Sequence, residues 1–377
     1  MNGSPKFVLE IEERAGTAIA RSEQGVVGVV LFDNTKDTEK HIYASRGDVL
    51  QTDWDNDNYN LLKDLAFVGS PYKVIVRRVK EEARDSVKIT DILSDLENDV
   101  DSIVIPKATE SETDDLISYA KSRHNTELGK LALDFNQAHF FTIVASDKVP
   151  DHHAIINNGI TGAVVNGHEY SDKEFALAIA SLEAGCPISR SITNMKMGFL
   201  DKCDIPAEPG KITKKGKIAV SVQRDDSGIS YYVINRGVTS FITPNTTKQR
   251  RFSKVKVVRS LFIITEDLKK SWNDYKGARL NGYLNKMAFL NAVNAYTQSL
   301  MNQGILDPDY SNTFDIDIEQ HKLYLMTEKG ISRDEVDKMS EAKLRRINTV
   351  DVVYAKCNEL MPLDCMEDFF GKAIIQS

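Results

Sequence analysis

The sequence predicts a chain of mixed class, with an α/β domain built on a largely parallel sheet and a C-terminal α+β domain. Three observations predict this organisation. Short apolar runs alternate with segments of helical periodicity from residue 72 to residue 185. Long helical periodicity then dominates from residue 258 to residue 302. Strand-like segments at both chain ends have no local partner, so they predict extended N- and C-terminal strand arms.

The α/β domain is predicted from a series of short strands and helices. Apolar runs predict strands at residues 25–32, 73–79, 102–106, 131–135, 140–144 and 163–165. Apolar residues on one face predict helices at residues 89–97 and 113–125, and Ser171 is expected to cap a third helix that runs to residue 183. Strands that alternate with helices along a chain are typical of a parallel sheet.

The rest of the chain is predicted as a linker, a hairpin and the α+β domain. Prolines and glycines mark residues 206–216 as a linker, and residues 218–234 have the pattern of a β-hairpin. Further elements are expected as helices at residues 258–275 and 279–302, with Gly304 as the C-terminal stop, and as strands at residues 314–318 and 350–357. The predicted parts are residues 1–20 (N-terminal arm), 21–205 (α/β domain), 206–250 (linker and hairpin), 251–366 (α+β domain) and 367–377 (C-terminal arm).

The two arms are expected to pair with other copies of the chain. Near the N-terminus, apolar and acidic residues alternate in the period-two pattern of a strand with one buried face. The C-terminus is apolar almost to its last residue, although chain ends are usually polar unless something holds them. The residues expected in inter-subunit strands are Phe7, Leu9, Ile11, Phe370, Ala373, Ile374 and Ile375.

Composition excludes several classes of protein. The chain has 377 residues, of which 41% are hydrophobic and 27% charged, as is ordinary for a folded soluble protein. A net charge of −7 argues against general nucleic-acid binding, for which a basic surplus is typical. No segment approaches the ~20 apolar residues of a membrane span, and no signal peptide is recognisable. The four cysteines lack metal-ligand spacing, so we expect reduced thiols in a protein that matures in the cytoplasm.

No catalytic, cofactor-binding or metal-ligating residue is predicted. Asp53, Asp55 and Asp57 begin like a calcium loop, but the later glycine and glutamate of such a loop are missing, so we expect a loop before a helix. The adjacent His152 and His153 have no second cluster at ligand spacing. The chain also lacks the glycine-lysine pattern of a phosphate loop and the serine of a nucleophile elbow.

One basic run stands out in this acidic chain, and two interpretations of it remain open. Runs of charge usually form a solvated loop or strand edge. Alternatively, the run is an electrostatic patch that meets an acidic partner. It consists of Lys248, Arg250, Arg251, Lys254, Lys256 and Arg259.

Five segments, taken in their order along the chain, resemble the sheath proteins of contractile tails. The segments are residues 15–30, 159–185, 236–241, 259–306 and the closing element Met361-Pro362-Leu363-Asp364-Cys365-Met366-Glu367-Asp368. The closing element is similar to the Pro-x-Asp-x-Met-Glu pattern of that family, although Cys365 stands where a small residue is more usual. The resemblance is to sheaths of Gram-positive myophages, phage-like particles and R-type bacteriocins.

The resemblance implies a mechanical protein without a cofactor or an enzymatic activity. Such a subunit polymerises in helical rings around an inner tube and contracts to drive the tube through a cell envelope. The implied partners are other copies of the chain, the tube protein, and baseplate and tail terminator proteins, with neither nucleic acid nor membrane insertion. The resemblance also implies that the basic run, or Arg279 and Lys286 nearby, faces an acidic tube surface. The protein would assemble in the host cytoplasm and become part of a tail or a released particle.

Two other classes of protein compete with this interpretation. An α/β enzyme for a small molecule or a metal-dependent reaction requires titratable residues clustered at the carboxyl ends of the strands, and the sequence shows no such cluster. A generic adaptor or a shell protein that assembles with itself is the other alternative. The enzyme interpretation also leaves the strand-like chain ends unexplained.

Overall fold

The protein folds into two compact units in a computed structural model that describes residues 25–37, 39–124, 138–244 and 250–372. The first unit contains the described residues up to Glu266 together with residues 362–372, and the second contains residues 267–361. The sequence placed this boundary at residue 251. The structure places it later because Val255, Val258 and Phe262 belong to the core of the first unit.

The first unit is organised around a seven-stranded sheet. The strands of the unit are β1 (Val26–Phe32), β2 (Lys40–Tyr43), β3 (Lys73–Val79), β4 (Ser102–Val104), β5 (Phe141–Val144), β6 (Ile155–Asn158), β7 (Ala163–Val165), β8 (His168–Tyr170), β9 (Lys217–Ile218), β10 (Val220–Arg224) and β11 (Ser230–Ile234). The sheet has the spatial order β2-β3-β1-β4-β5-β6-β9, and its neighbouring strands are parallel except for the pair β2 and β3 at one edge. The predicted fold, mixed α/β with a largely parallel sheet, is confirmed.

Helices cover both faces of this sheet. Alternate residues of the wholly buried strand β1 point to opposite faces, so that Val29 packs with the core that includes α1 and α4, and Val30 packs with the core that includes α2 and α3. The helices are α1 (Asn56–Leu65), α2 (Ile89–Leu96), α3 (Glu110–Arg123), α4 (Asp172–Gly185), α5 (Pro209–Lys214) and α6 (Val255–Tyr275). Ser171 caps α4 as predicted, by accepting a hydrogen bond from the Glu174 amide.

The second unit combines the end of α6 with helices and a small sheet. Its further elements are α7 (Tyr283–Asn302), β12 (Phe314–Ile316), α8 (Ile318–Thr327), α9 (Arg333–Asp337), α10 (Glu341–Arg345) and β13 (Ala355–Cys357). Strands β12 and β13 pair antiparallel, and Phe314 lies opposite Cys357. Gly304 follows α7 with a φ of 66°, the left-handed conformation expected of a glycine that ends a helix.

Several predicted elements differ from the structure for local reasons. The strand expected at residues 350–357 is reduced to β13, because Val350 has a φ of 58° and leaves the extended region. The strand at residues 163–165 exists, but it pairs with β8 in a separate hairpin and not with the large sheet. The strand predicted at residues 131–135 lies outside the described residues. Among the described helices, none is both long enough and apolar enough to cross a membrane.

Candidate functional site

The closing element of the chain is attached to the first unit through the side chain of Glu367. This side chain is only 6% exposed. Its Oε1 accepts a hydrogen bond from the Thr193 hydroxyl at 2.7 Å, and its Oε2 accepts one from the Arg236 guanidinium at 2.8 Å. The Lys254 ammonium also donates to Oε2, and Arg236 pairs in addition with Asp368. A largely buried carboxylate thus receives three donors, two of them charged.

The first turn of α6 adds a second attachment for the same element. Lys256 is 3% exposed, and its ammonium donates to the Leu363 carbonyl at 3.0 Å and to the Ser260 hydroxyl at 3.2 Å. Burial lowers the pKa of Lys256, whereas the nearby Cys365 and Asp364 act in the opposite direction. Burial raises the pKa of Asp364, and the charge of Lys254, 3.8 Å away, opposes this rise.

Further along α6, Arg259 binds the end of α4. Its guanidinium donates to the carbonyls of Glu183 and, at 3.0 Å, Ala184, which satisfies two of the last carbonyls of α4. Arg259 Nε also lies 3.3 Å from the Glu183 carboxylate. That carboxylate is completely buried, and desolvation raises its pKa, while Arg259 and a hydrogen bond from Ser102 lower it.

The N-terminal end of the described chain is fixed close to this pair. The amides of Gly25 and Val26 both donate to one carboxylate oxygen of Asp101, each at 2.8 Å. Gly25 has a φ of 93°, and a Cβ on it would lie 2.8 Å from the Ala184 carbonyl oxygen, so the position requires glycine. Gly25, the residue before β1, is therefore held at a fixed point of the first unit.

The structure divides the basic run and corrects its interpretation as one exposed patch. Lys256 and Arg259 are buried, and Lys254 binds Glu367, so these three cations serve internal contacts. Arg250 is exposed, Arg251 is half-buried, and Lys248 lies outside the described residues.

The two basic residues predicted from the second unit differ in their exposure to solvent. Lys286 is 3% exposed and donates to the Thr349 hydroxyl at 2.8 Å and to the Ile347 carbonyl at 3.2 Å, so it does not present its charge to a partner. Desolvation lowers its pKa. Arg279 is exposed and precedes two strongly exposed leucines, Leu280 and Leu284, which are 86% and 80% exposed.

The arm residues lie largely outside the part of the chain that the structure describes. Phe370 lies within the described residues and is 95% exposed. Phe369 and Met366 are also strongly exposed, at 93% and 101%. These apolar side chains flank the buried Glu367. The pairing of the arms with other copies stays a prediction. The arm residues outside the described ranges are Phe7, Leu9, Ile11, Ala373, Ile374 and Ile375.

The residues considered for metal binding have structural partners. Asp55 caps α1 by accepting from the Asn58 amide at 2.7 Å, and Asp53 pairs with Lys36. His152 and His153 pack with other aromatic rings close to Phe262. Across the described ranges, no three His, Cys, Asp or Glu side chains converge in a way that could hold a metal ion.

Sequence reasoning missed Thr193, Asp101, Glu183 and the role of Arg236. Arg236 and Glu367 each lie in a segment that resembles the sheath family, but 131 residues separate them. The resemblance of both segments to sheath proteins was the signal that could have pointed to these two residues. No local pattern shows that the two segments meet.

Comparisons with known proteins agree with this resemblance. Residues 247–359 match the family model of the phage tail sheath C-terminal domain. The chain is 29% identical over 380 residues to a tail sheath protein of Clostridium phage phiCD119, with 98% of each chain covered. Its fold is similar to the sheath tail protein Lin1278 from Listeria innocua, with a TM-score of 0.63, 14% identity, and coverage of 81% of this chain and 92% of that chain.

A second solved structure extends the similarity over almost the whole chain. The anti-feeding prophage helical sheath in its contracted state has a TM-score of 0.59 and 12% identity, and the match covers 98% of this chain and 100% of that chain. The resemblance to contractile tail sheath proteins, drawn from the sequence segments, is thereby confirmed.

Replacing Arg259 by Met tests the internal role of the basic run. The substitution leaves the Glu183 carboxylate buried without its cation, and we expect a loss of about 3–5 kcal/mol in the free energy of unfolding at neutral pH. Without Arg259, burial raises the pKa of Glu183 further above its unfolded value. The folded state then takes up a proton as the pH falls, so the deficit shrinks between pH 7 and about pH 5. Urea unfolding at several pH values measures this deficit in the free energy of unfolding.

Arg250→Met is the matched control, because it removes an exposed arginine of the same run. We expect it to change the free energy of unfolding by no more than about 0.5 kcal/mol. Equal effects of the two substitutions, or a deficit for Arg259→Met that grows as the pH falls, would contradict the assignment.

Proposed function

We propose that this chain, a structural subunit of a contractile tail sheath, polymerises with other copies by lending them its terminal strands. One observation carries the proposal. The closing element is held on the first unit by Glu367, yet Phe369 and Phe370, which follow Asp368, are apolar and almost fully exposed. Exposed aromatic side chains on an extended chain end are typical of a segment that a partner covers. Residues 369–377 span at most about 30 Å when fully extended, which limits how far away that partner lies.

The small sheet of the second unit is a suitable acceptor. Within the part of the chain that the structure describes, this sheet contains β12 and β13 alone. A two-stranded sheet is marginal by itself and has two edges at which a further strand can add its backbone hydrogen bonds. We therefore assign the C-terminal arm, and the alternating N-terminal segment near residues 5–14, to the small sheets of neighbouring copies.

The assembled particle would be an open helical array with contacts between unlike surfaces. Each added backbone hydrogen bond contributes a net of roughly 0.5–1.5 kcal/mol, and many copies together make a continuous mesh. Contraction would be a rigid-body rearrangement of subunits into a lower-energy packing. In this proposal the subunit uses neither a cofactor nor catalysis. It assembles in the bacterial cytoplasm with a tube, a baseplate and a terminator, as a component of a phage tail or of a headless particle.

The enzyme alternative finds less support in the structure. Asp33 follows the carboxyl end of β1, where an α/β enzyme commonly places a functional group. Its carboxylate instead accepts from the amides of Thr35 and Asp55 and from the side chain of Asn58. The group therefore serves local structure.

The tube-facing surface is proposed to include Arg279 and Leu280, which precede α7, and Leu284 in its first turn. A cation beside exposed apolar side chains fits a partner surface that is acidic around an apolar centre. Arg250 and Arg251 of the first unit remain a second candidate for the same contact.

Deletion of residues 369–377 tests the arm directly. We expect a folded, soluble protein, because the attachment through Glu367 is retained, but no assembly into sheath, because the donated strand is missing. Electron microscopy and sedimentation of the purified protein measure assembly, and thermal unfolding monitors the fold. The matched control replaces residues 369–377 by a Gly-Ser segment of equal length, which should also fail to assemble. Normal tubes from either protein would refute the role of the arm.

Reversal of charge at Arg279 tests the tube contact. Arg279→Glu should weaken binding to the inner tube at low salt and have less effect at high salt, because exposed charges are screened over ~8 Å at physiological ionic strength. Co-sedimentation with preassembled tubes measures binding. Arg333→Glu is the control, since Arg333 is an exposed arginine of α9 in the same unit. Lys286→Gln should lower stability instead, because Lys286 is buried. Unchanged tube binding by Arg279→Glu at low salt would rule this surface out.

A further inference from the structure

The exposure of neighbouring side chains changes abruptly at Glu367. Met366 and Phe369 are almost fully exposed, whereas the carboxylate of Glu367 is 6% exposed. Glu367 is therefore the last buried charge of the closing element before the apolar part of the arm, and it lies after the hydrogen bond between Lys256 and the Leu363 carbonyl. The position of that charge along the chain decides where the arm begins.

The receptor for this carboxylate is preorganised by backbone pairing. Lys254 forms an isolated antiparallel bridge with Val238, and the Val255 amide donates to the Gly237 carbonyl at 3.1 Å. These bonds hold the segment of Arg236 beside the start of α6. The backbone positions of both cations are consequently held next to each other, which reduces the entropy lost in forming the ion pairs.

The third donor is oriented in the same way. The Thr193 hydroxyl oxygen accepts from the Gly237 amide at 2.8 Å and from the Ser191 hydroxyl at 3.0 Å. Its own proton is then directed to Glu367 Oε1, 2.7 Å away. A hydroxyl whose acceptor capacity is filled by two fixed donors is a defined donor to the carboxylate.

From this geometry we infer that Thr193, Arg236 and Lys254 form the fixed root of the C-terminal arm, with Glu367 as its positioning residue. When a second copy pulls on the arm, the force is transmitted to the first unit at Glu367. The peptide that leads back to Met361 does not carry this force. The part of the inference that concerns the arm after its root rests on the proposed function. The root itself is a property of the single subunit and can be tested without assembly.

Cys365 is a natural probe of the root, because it lies two residues before Glu367 and is partly exposed. In a Cys357→Ser background, the two other cysteines are buried, so a thiol reagent reports mainly on Cys365. We expect Glu367→Gln to accelerate the labelling of Cys365 roughly tenfold, because the substitution costs about as much as the loss of one hydrogen bond to a charged group. Asp368→Asn is the matched control. Its partly exposed ion pair predicts a change of less than about fivefold.

A double substitution separates the anchor from a general loss of structure. Lys254→Met should also accelerate labelling, and its combination with Glu367→Gln should add little, because both changes remove the same interaction. Additive effects, or unchanged labelling in Glu367→Gln, would overturn the inference. Thermal unfolding of each variant checks that the first unit remains folded.

Paired insertions test the mechanical part of the inference. A six-residue Gly-Ser insertion between Asp368 and Phe369 lengthens the arm beyond its root, and it should raise the protein concentration required for sheath assembly, because a longer tether dilutes the strand it presents. The same insertion between Met361 and Pro362 lies before the root and should leave assembly unchanged. In a Glu367→Gln, Lys256→Met background, which removes both attachments of the closing element, the two insertions should behave alike.

Equal effects of the two insertions in the unmodified background would overturn the inference. If the unmodified chain itself forms no sheath, the proposed function fails, and the labelling of Cys365 then decides by itself whether the root exists.

Discussion

The buried carboxylate of Glu367 is the interaction on which the rest of this account depends. A carboxylate removed from water is costly unless charged donors meet it, and here Arg236 and Lys254 do so. Those cations come from two segments that are tied together by backbone pairing. The acidic closing element therefore accounts for two cations of the basic run, because Lys254 binds Glu367 and Lys256 donates to the Leu363 carbonyl. In the proposed assembly, this attachment is the point from which the residues after Asp368 reach a neighbouring copy.

The periodicity of the sequence predicted much of the fold, because burial acts locally on strands and helices. It identified β1, β3, α4 and the hairpin of β10 and β11 closely. Strand β6 was missed because Asn157 and Asn158 interrupt its apolar character, although both are buried and hydrogen-bonded. The small sheet was only partly predicted, because the apolar residues before β13 lie in a loop. The Val350 carbonyl of this loop accepts a hydrogen bond from the side chain of Asn281.

The candidate site was harder to predict than the fold, for a physical reason. A run of lysines and arginines has the same appearance whether its charges face solvent or meet buried carboxylates. Lys256 and Arg259 are buried because their partners, Leu363 and Glu183, arrive from 107 and 76 residues away along the chain. Lys286 shows the same limit, since Thr349 is 63 residues distant.

A cryo-electron microscopy map of sheath assembled from the full-length chain tests the central claim most directly. The account predicts that Glu367 contacts Arg236 and Lys254 of its own subunit, while residues 369–377 form an added strand on the β12 and β13 sheet of another copy. A map in which the C-terminal residues fold back on their own subunit, or in which Glu367 binds a different copy, would contradict it.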